Sequence, residues 1–201
     1  MSNVVEFSPF EDVAPDRTAP HKRLTRLSRV LAWLFTVMMG LSIFWVVAAF
    51  VVIFFFSNHL LMGASGGEVA FPAEPALKAG MVRFSSQPFA THLGGFVALS
   101  AMMAPVAMIC WHLRGLFRLY AAGIVFARAN ATHLKRVGLW LLLWPAAKFG
   151  GNQLFQLTGG TDKAWAQMTF VYALILGVIV FAIAQVMEFG HEIEQEKDSF
   201  I

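Results

Sequence analysis

At 201 residues, 58% hydrophobic and 13% charged, with a mean hydropathy of +0.64, the chain departs from soluble domains, which run about 45–50% apolar and about 25% charged. The apolar excess lies in a few long blocks, which excludes an ordinary soluble fold and points to an integral membrane protein. The single cysteine, Cys110, excludes an intramolecular disulfide, and the net charge of +3 reads as topology-setting charge, so no direct nucleic-acid partner is expected.

In chain order, residues 1–20 are polar and broken by Pro9, Pro15 and Pro20, and Lys22, Arg23, Arg26 and Arg29 follow. Residues 1–29 are therefore expected to be a disordered, basic-ended cytoplasmic tail. The run 30–56 is uncharged for 27 residues, too long for a signal-peptide core and long enough to cross a bilayer. It reads as a retained first span. Residues 57–88 carry Gly63, Gly66, Gly67, Pro72 and Pro75, and their charges Glu68, Glu74, Lys78 and Arg83 cancel, as in an outer loop. The second span, 88–113, repeats small residues at Gly94, Ala98, Ala101 and Pro105, a face suited to close helix approach, with a kink expected at Pro105.

The stretch from Arg114 to Arg136 then brings Arg114, Arg118, Arg128, Lys135 and Arg136 without an acidic residue, which marks a cytoplasmic face. The third span, 137–157, is apolar at first and polar later, with Pro145, Lys148, Gly150, Gly151, Asn152, Gln153 and Gln156. Its polar half is expected to face the other helices. After a turn at 159–163 the fourth span, 164–189, contains Gln185 and leads into an acidic cytoplasmic tail, 190–201, with Glu192, Glu194, Glu196 and Asp198. The expected fold class is all-α: an integral membrane four-helix bundle over 30–189 with both termini inside.

Phe117, Arg118, Leu119, Tyr120, Gly123, Phe126, Asn130, Leu134, Lys135, Arg136 and Gly138, together with the ending from Ala184 to Ile201, resemble the signature of a bacterial membrane family catalogued as domain of unknown function 2975. The resemblance covers most of the chain after about residue 22. It implies a four-helix inner-membrane protein, often encoded beside a small helix-turn-helix regulator, and no established activity. Two positions depart from the pattern. Ala127 stands where the family usually has Ser or Thr, a natural N-cap, and Gln185 stands where it often has an acidic residue.

The residues of the motif also make physical sense without the resemblance. Gly123 permits a sharp helix exit, Phe126 can plug the base of the bundle, and Leu134, Lys135 and Arg136 start the next helix with its cations at headgroup level. The stretch is either a hairpin that joins two spans or a docking surface for a cytoplasmic partner.

Lys148 is the one charge well inside an apolar segment, and no acidic residue stands in the interior of any span to pair with it, Glu188 lying at the end of the fourth. A structural polar network with Asn152, Gln153 and Gln185 competes with a substrate or proton site. His59 with His92, and His112 with His133, are spaced as haem pairs at opposite ends of the second span, but interfacial histidines are ordinarily solvated. The methionines read as packing rather than copper ligands. Glu188, His191 and Glu192 share a helix face, yet a carboxylate-bridged metal bundle needs repeated copies of that pattern. No cofactor is expected. Three functions follow: a non-enzymatic inner-membrane protein that engages a cytoplasmic regulator, an accessory subunit of a larger membrane complex, and a carrier or membrane enzyme built on the polar half of the third span. The expected partners are anionic headgroups, such a regulator, or such subunits.

Overall fold

The structure, a computed structural model, describes residues 18–63, 69–70, 81–124, 127–160 and 168–199. Four long helices dominate: α1 (Thr18–Phe55), α2 (Phe89–Ala121), α3 (Arg128–Leu157) and α4 (Met168–Ser199). Three of them, α1, α2 and α4, are long and apolar enough to cross a membrane. α3 is not among these, because its polar second half lowers its hydropathy although its 30 residues give about 45 Å of helix.

Each helix overruns the apolar block that announced it. α1 starts at Thr18 rather than near residue 30, α2 continues to Ala121, α3 begins at Arg128, and α4 runs to Ser199 through the acidic stretch expected to be a tail. Hydropathy marks where lipid contact ends. Lys, Arg, Glu and Gln remain good helix formers, so the backbone ladder continues past that point. Pro20 falls in the first turn of α1, where no backbone donor is needed. Hydroxyls inside α1 bond back along the helix, Thr36 to the Ala32 carbonyl at 2.8 Å and Ser42 to that of Met38 at 2.9 Å, which satisfies them without water.

Both ends of the α2–α3 pair are set by local chemistry. Gly123, at φ +80°, ends α2 in a Schellman turn: its N–H bonds to the Tyr120 carbonyl, and that of Ile124 to Leu119. Gly159, at φ +91°, ends α3 in the same way, with bonds to the Gln156 and Phe155 carbonyls. Ala127 makes no side-chain cap for α3. The buried Asn130 instead reaches back across the turn and donates from Nδ2 to the Ile124 carbonyl at 2.9 Å.

Between α1 and α2, where only an outer loop was expected, a small antiparallel sheet of order β2-β1-β3 forms from β1 (Leu61–Gly63), β2 (Val69–Ala70) and β3 (Met81–Arg83). Leu61 pairs with Ala70 on one side and with Arg83 on the other. Strands of two or three residues are too short for alternation to be read from sequence. The sheet presses Leu60 and Phe84 onto Ile53 of α1, with Phe96 and Phe155 packed around them.

Packing is dominated by successive helices, α1 on α2, α2 on α3 and α3 on α4, while α1 and α4 barely meet. The helices thus form a row more than a closed bundle. Small residues let the pairs approach. A Cβ at Gly151 would lie 3.0 Å from the Ala98 Cα, and one at Gly138 would lie 3.0 Å from the Gly177 carbonyl oxygen. The stripe Gly94, Ala98 and Ala101 does face α3, and Pro105 is buried within a continuous α2.

Candidate functional site

α1, α2 and α3 line a cavity of about 490 Å³ beneath the small sheet. Its far end lies at Trp45, Met102 and Lys148; its near end lies at Leu60, Phe84 and Phe155. Alanines and Gly95 open the space, since a wall of small side chains leaves room that leucines would fill. Apart from the indole of Trp45, the polar side chains on the wall are those of Lys148 and Asn152. They stand one turn apart on the same face of α3, so helical spacing aims both into one space. Asn152 is buried, and Trp45, 58% exposed, forms the open rim.

The Lys148 ammonium stands 5.0 Å from the centroid of the Phe170 ring on α4. A ring face attracts a cation electrostatically, most strongly where water is excluded. Trp144 braces the same region, donating from Nε1 to the Met102 carbonyl at 3.2 Å and meeting Phe170 edge-on. The polar half of α3 is therefore divided. Lys148 and Asn152 join the cavity, whereas Gln153 is exposed. Gln185 is half-buried on α4, about 22 Å along the helix from Phe170, and does not join Lys148.

The opposite end of α2 and α3 is closed by polar pairs. Nδ1 of His112 and Nδ1 of His133 are 3.3 Å apart, so one ring donates to the other. Gly115 makes the room for His133. The rings touch directly, which leaves no space for a macrocycle between them. Burial, and then the charge of Arg136, hold the His133 imidazole below its ordinary range. At the other end of α2, His92 contacts the Pro88 carbonyl at 3.1 Å and packs on Phe84.

Lys135 forms an ion pair with Glu188, which joins α3 to α4 at this end. Arg118, Arg128 and Arg136 are exposed, and Arg114 lies 5.9 Å over the Trp111 ring. Phe126 lies outside the described residues, and of Glu192 and Glu194 the structure describes the helical backbone alone. Among the described residues no group of three or more His, Cys, Asp or Glu is placed to hold a metal ion.

Sequence reasoning found Lys148 and Asn152 but missed the walls opposite them, Trp45 on α1 and the roof of Leu60 and Phe84. The doublet Ala48-Ala49 in α1 was the available signal. A family model described as a protein of unknown function, DUF2975, matches residues 71–201. That range contains α2, α3, α4, Lys148 and Asn152, whereas the α1 wall of the cavity precedes it. No curated protein and no solved structure matches the chain.

Proposed function

The chain belongs to the DUF2975 family of proteins of unknown function, and we propose that it is a non-enzymatic protein of the bacterial inner membrane that binds an apolar small molecule within the bilayer. The observation that carries this reading is the cavity in which Lys148 and Asn152 of α3 face Trp45 of α1 across small residues of α2. Concave, mostly apolar space with a few converging polar groups is the usual form of a ligand site. In this reading α3 crosses the membrane as a fourth span, its polar groups sheltered between α2 and α4, and the basic hairpin with both termini lies in the cytoplasm. Photo-crosslinking with apolar diazirine probes in native membranes tests it. Labelled peptides from 45–53 and 148–155, reduced when the cavity is filled by Ala48→Phe, are the expected result. Labelling spread evenly over the lipid-facing surface of α1 and α4 would refute it.

The exposed Arg118 and Arg128 favour a second reading, in which the hairpin end docks a cytoplasmic regulator. Mild-detergent co-purification distinguishes this from an accessory role: a soluble regulator should be recovered in the first case and membrane subunits in the second. Charge reversal at Arg118 and Arg128 should abolish recovery of a docked regulator.

A further inference from the structure

We infer that the occupant of the cavity is a neutral lipid with a planar carbonyl head, of the quinone class, its head at Lys148 and Asn152 and its tail under Leu60 and Phe84. This rests on the reading that the cavity is a ligand site, and the depth of the polar groups decides the class. At a rise of about 1.5 Å per residue, Lys148 stands about 18 Å along α3 from Arg136 and about 14 Å from Leu157. Those distances together match a hydrocarbon core of about 30 Å, which places Lys148 near its middle. A phospholipid or fatty-acid anion bound there would have to pull its charged head out of the interface and down to that depth. One ammonium, already facing the Phe170 ring, is a poor return for such desolvation. A neutral head with carbonyl acceptors costs far less to bring in.

The donors suit such a head. An ammonium offers three N–H groups and a carboxamide offers two, so each can hold more than one contact at once. Both project from one face of α3 four residues apart, about 6 Å along the helix, so one flat molecule can reach both. The remaining lining gives a quinone its other requirements. Trp45 at the rim and Phe155 further along offer ring faces, and Ile53, Leu60 and Phe84 form an apolar channel toward the small sheet. The space is short in comparison with a diacyl lipid but is not enclosed, so a long prenyl tail that starts under Leu60 and Phe84 can leave it for the bilayer.

The test uses the full chain in nanodiscs of zwitterionic lipid, with a short-tailed ubiquinone and, separately, palmitate as probes. Binding is read as saturable quenching of tryptophan fluorescence and as retained ligand in native mass spectrometry. Two variants are compared with the unaltered protein, each checked for an unchanged elution profile: Ala48→Phe, which fills the cavity from α1, and Lys148→Met, which keeps most of the length of the side chain and removes its donors. The expected result is saturable quinone binding that weakens at least tenfold in Ala48→Phe and several-fold in Lys148→Met, with palmitate failing to displace it. Displacement by palmitate at equal or lower concentration would overturn the neutral head while leaving the cavity reading intact. Quenching that never saturates and is identical in all three proteins, with no palmitate retained, would overturn both.

Discussion

The same two helices, α2 and α3, are joined at one end and parted at the other. At the hairpin end Asn130, the His112–His133 contact and the Lys135–Glu188 pair tie α2, α3 and α4 together through side chains that have little alternative to each other. At the sheet end Thr91 still bonds to the Thr158 carbonyl, but just inside it Gly95, Ala98 and Asn152 line open space facing α1. The difference comes from what stands opposite. At the hairpin end the polar side chains bridge neighbouring helices, whereas near the sheet Lys148 and Asn152 also border the space between α1, α2 and α3. One half of the helix pair is thus closed by side-chain pairs and the other half lines a cavity.

The sharpest way to break this contrast is to overfill the closed end. A Cβ at Gly115 would lie 2.6 Å from Cε1 of His133, so Gly115→Ala should push the ring off His112 and cost about 1–3 kcal/mol. At the open end Gly95→Ala meets an edge of Phe155 at 3.2 Å, a ring that can shift into the cavity, so its thermal midpoint should fall much less. Equal losses in thermal denaturation would erase the distinction.

Acid is the next lever. His133 is held below its ordinary value of about 6.5, so the unfolded chain binds protons more readily than the folded one in that range. Stability is full above that value and declines as pH falls through it toward the folded value. The thermal midpoint should therefore drop from about pH 7.5 to about pH 5.5, and His133→Gln should flatten the slope. A slope unchanged by that substitution would show that the hairpin end does not titrate through this pair.

Smaller still is the ion pair. Lys135 and Glu188 are 31% and 26% exposed, and pairs that water reaches contribute little. Glu188→Gln should move the thermal midpoint less than Gly115→Ala, with the difference vanishing at high salt. A large, salt-independent loss would show that this contact holds α4 in place. The smallest stability change is expected at Lys148. Lys148→Met replaces a cation with an apolar side chain of similar length, so the midpoint should stay level or rise, while ligand retention falls. A collapse of folding would show that Lys148 holds the helices together instead of serving the cavity.

The length and placement of apolar blocks were legible in the sequence because lipid and water select side chains locally. Gly123, Gly159 and the small stripe on α2 were legible for similar reasons, since positive φ and close approach admit few alternatives. Helix ends were less so, because Lys and Glu support a helix in water as well as at its margin, and the tails expected at 1–29 and 190–201 contain helix from Thr18 and up to Ser199.

The sequence by itself determined a helical membrane protein, its basic hairpin, and Lys148 as the cation that needed an explanation. Only the tertiary structure decided which polar residues share a space. Lys148 and Asn152 meet the α1 wall, Gln153 is exposed, and Gln185 stays on another helix. Spacing along α3 fixes the direction of each side chain relative to its own axis. The rotation of that axis and the identity of its neighbours are set by contacts far apart in sequence, such as Gly151 on Ala98 and Gly138 on Gly177, which no local pattern encodes.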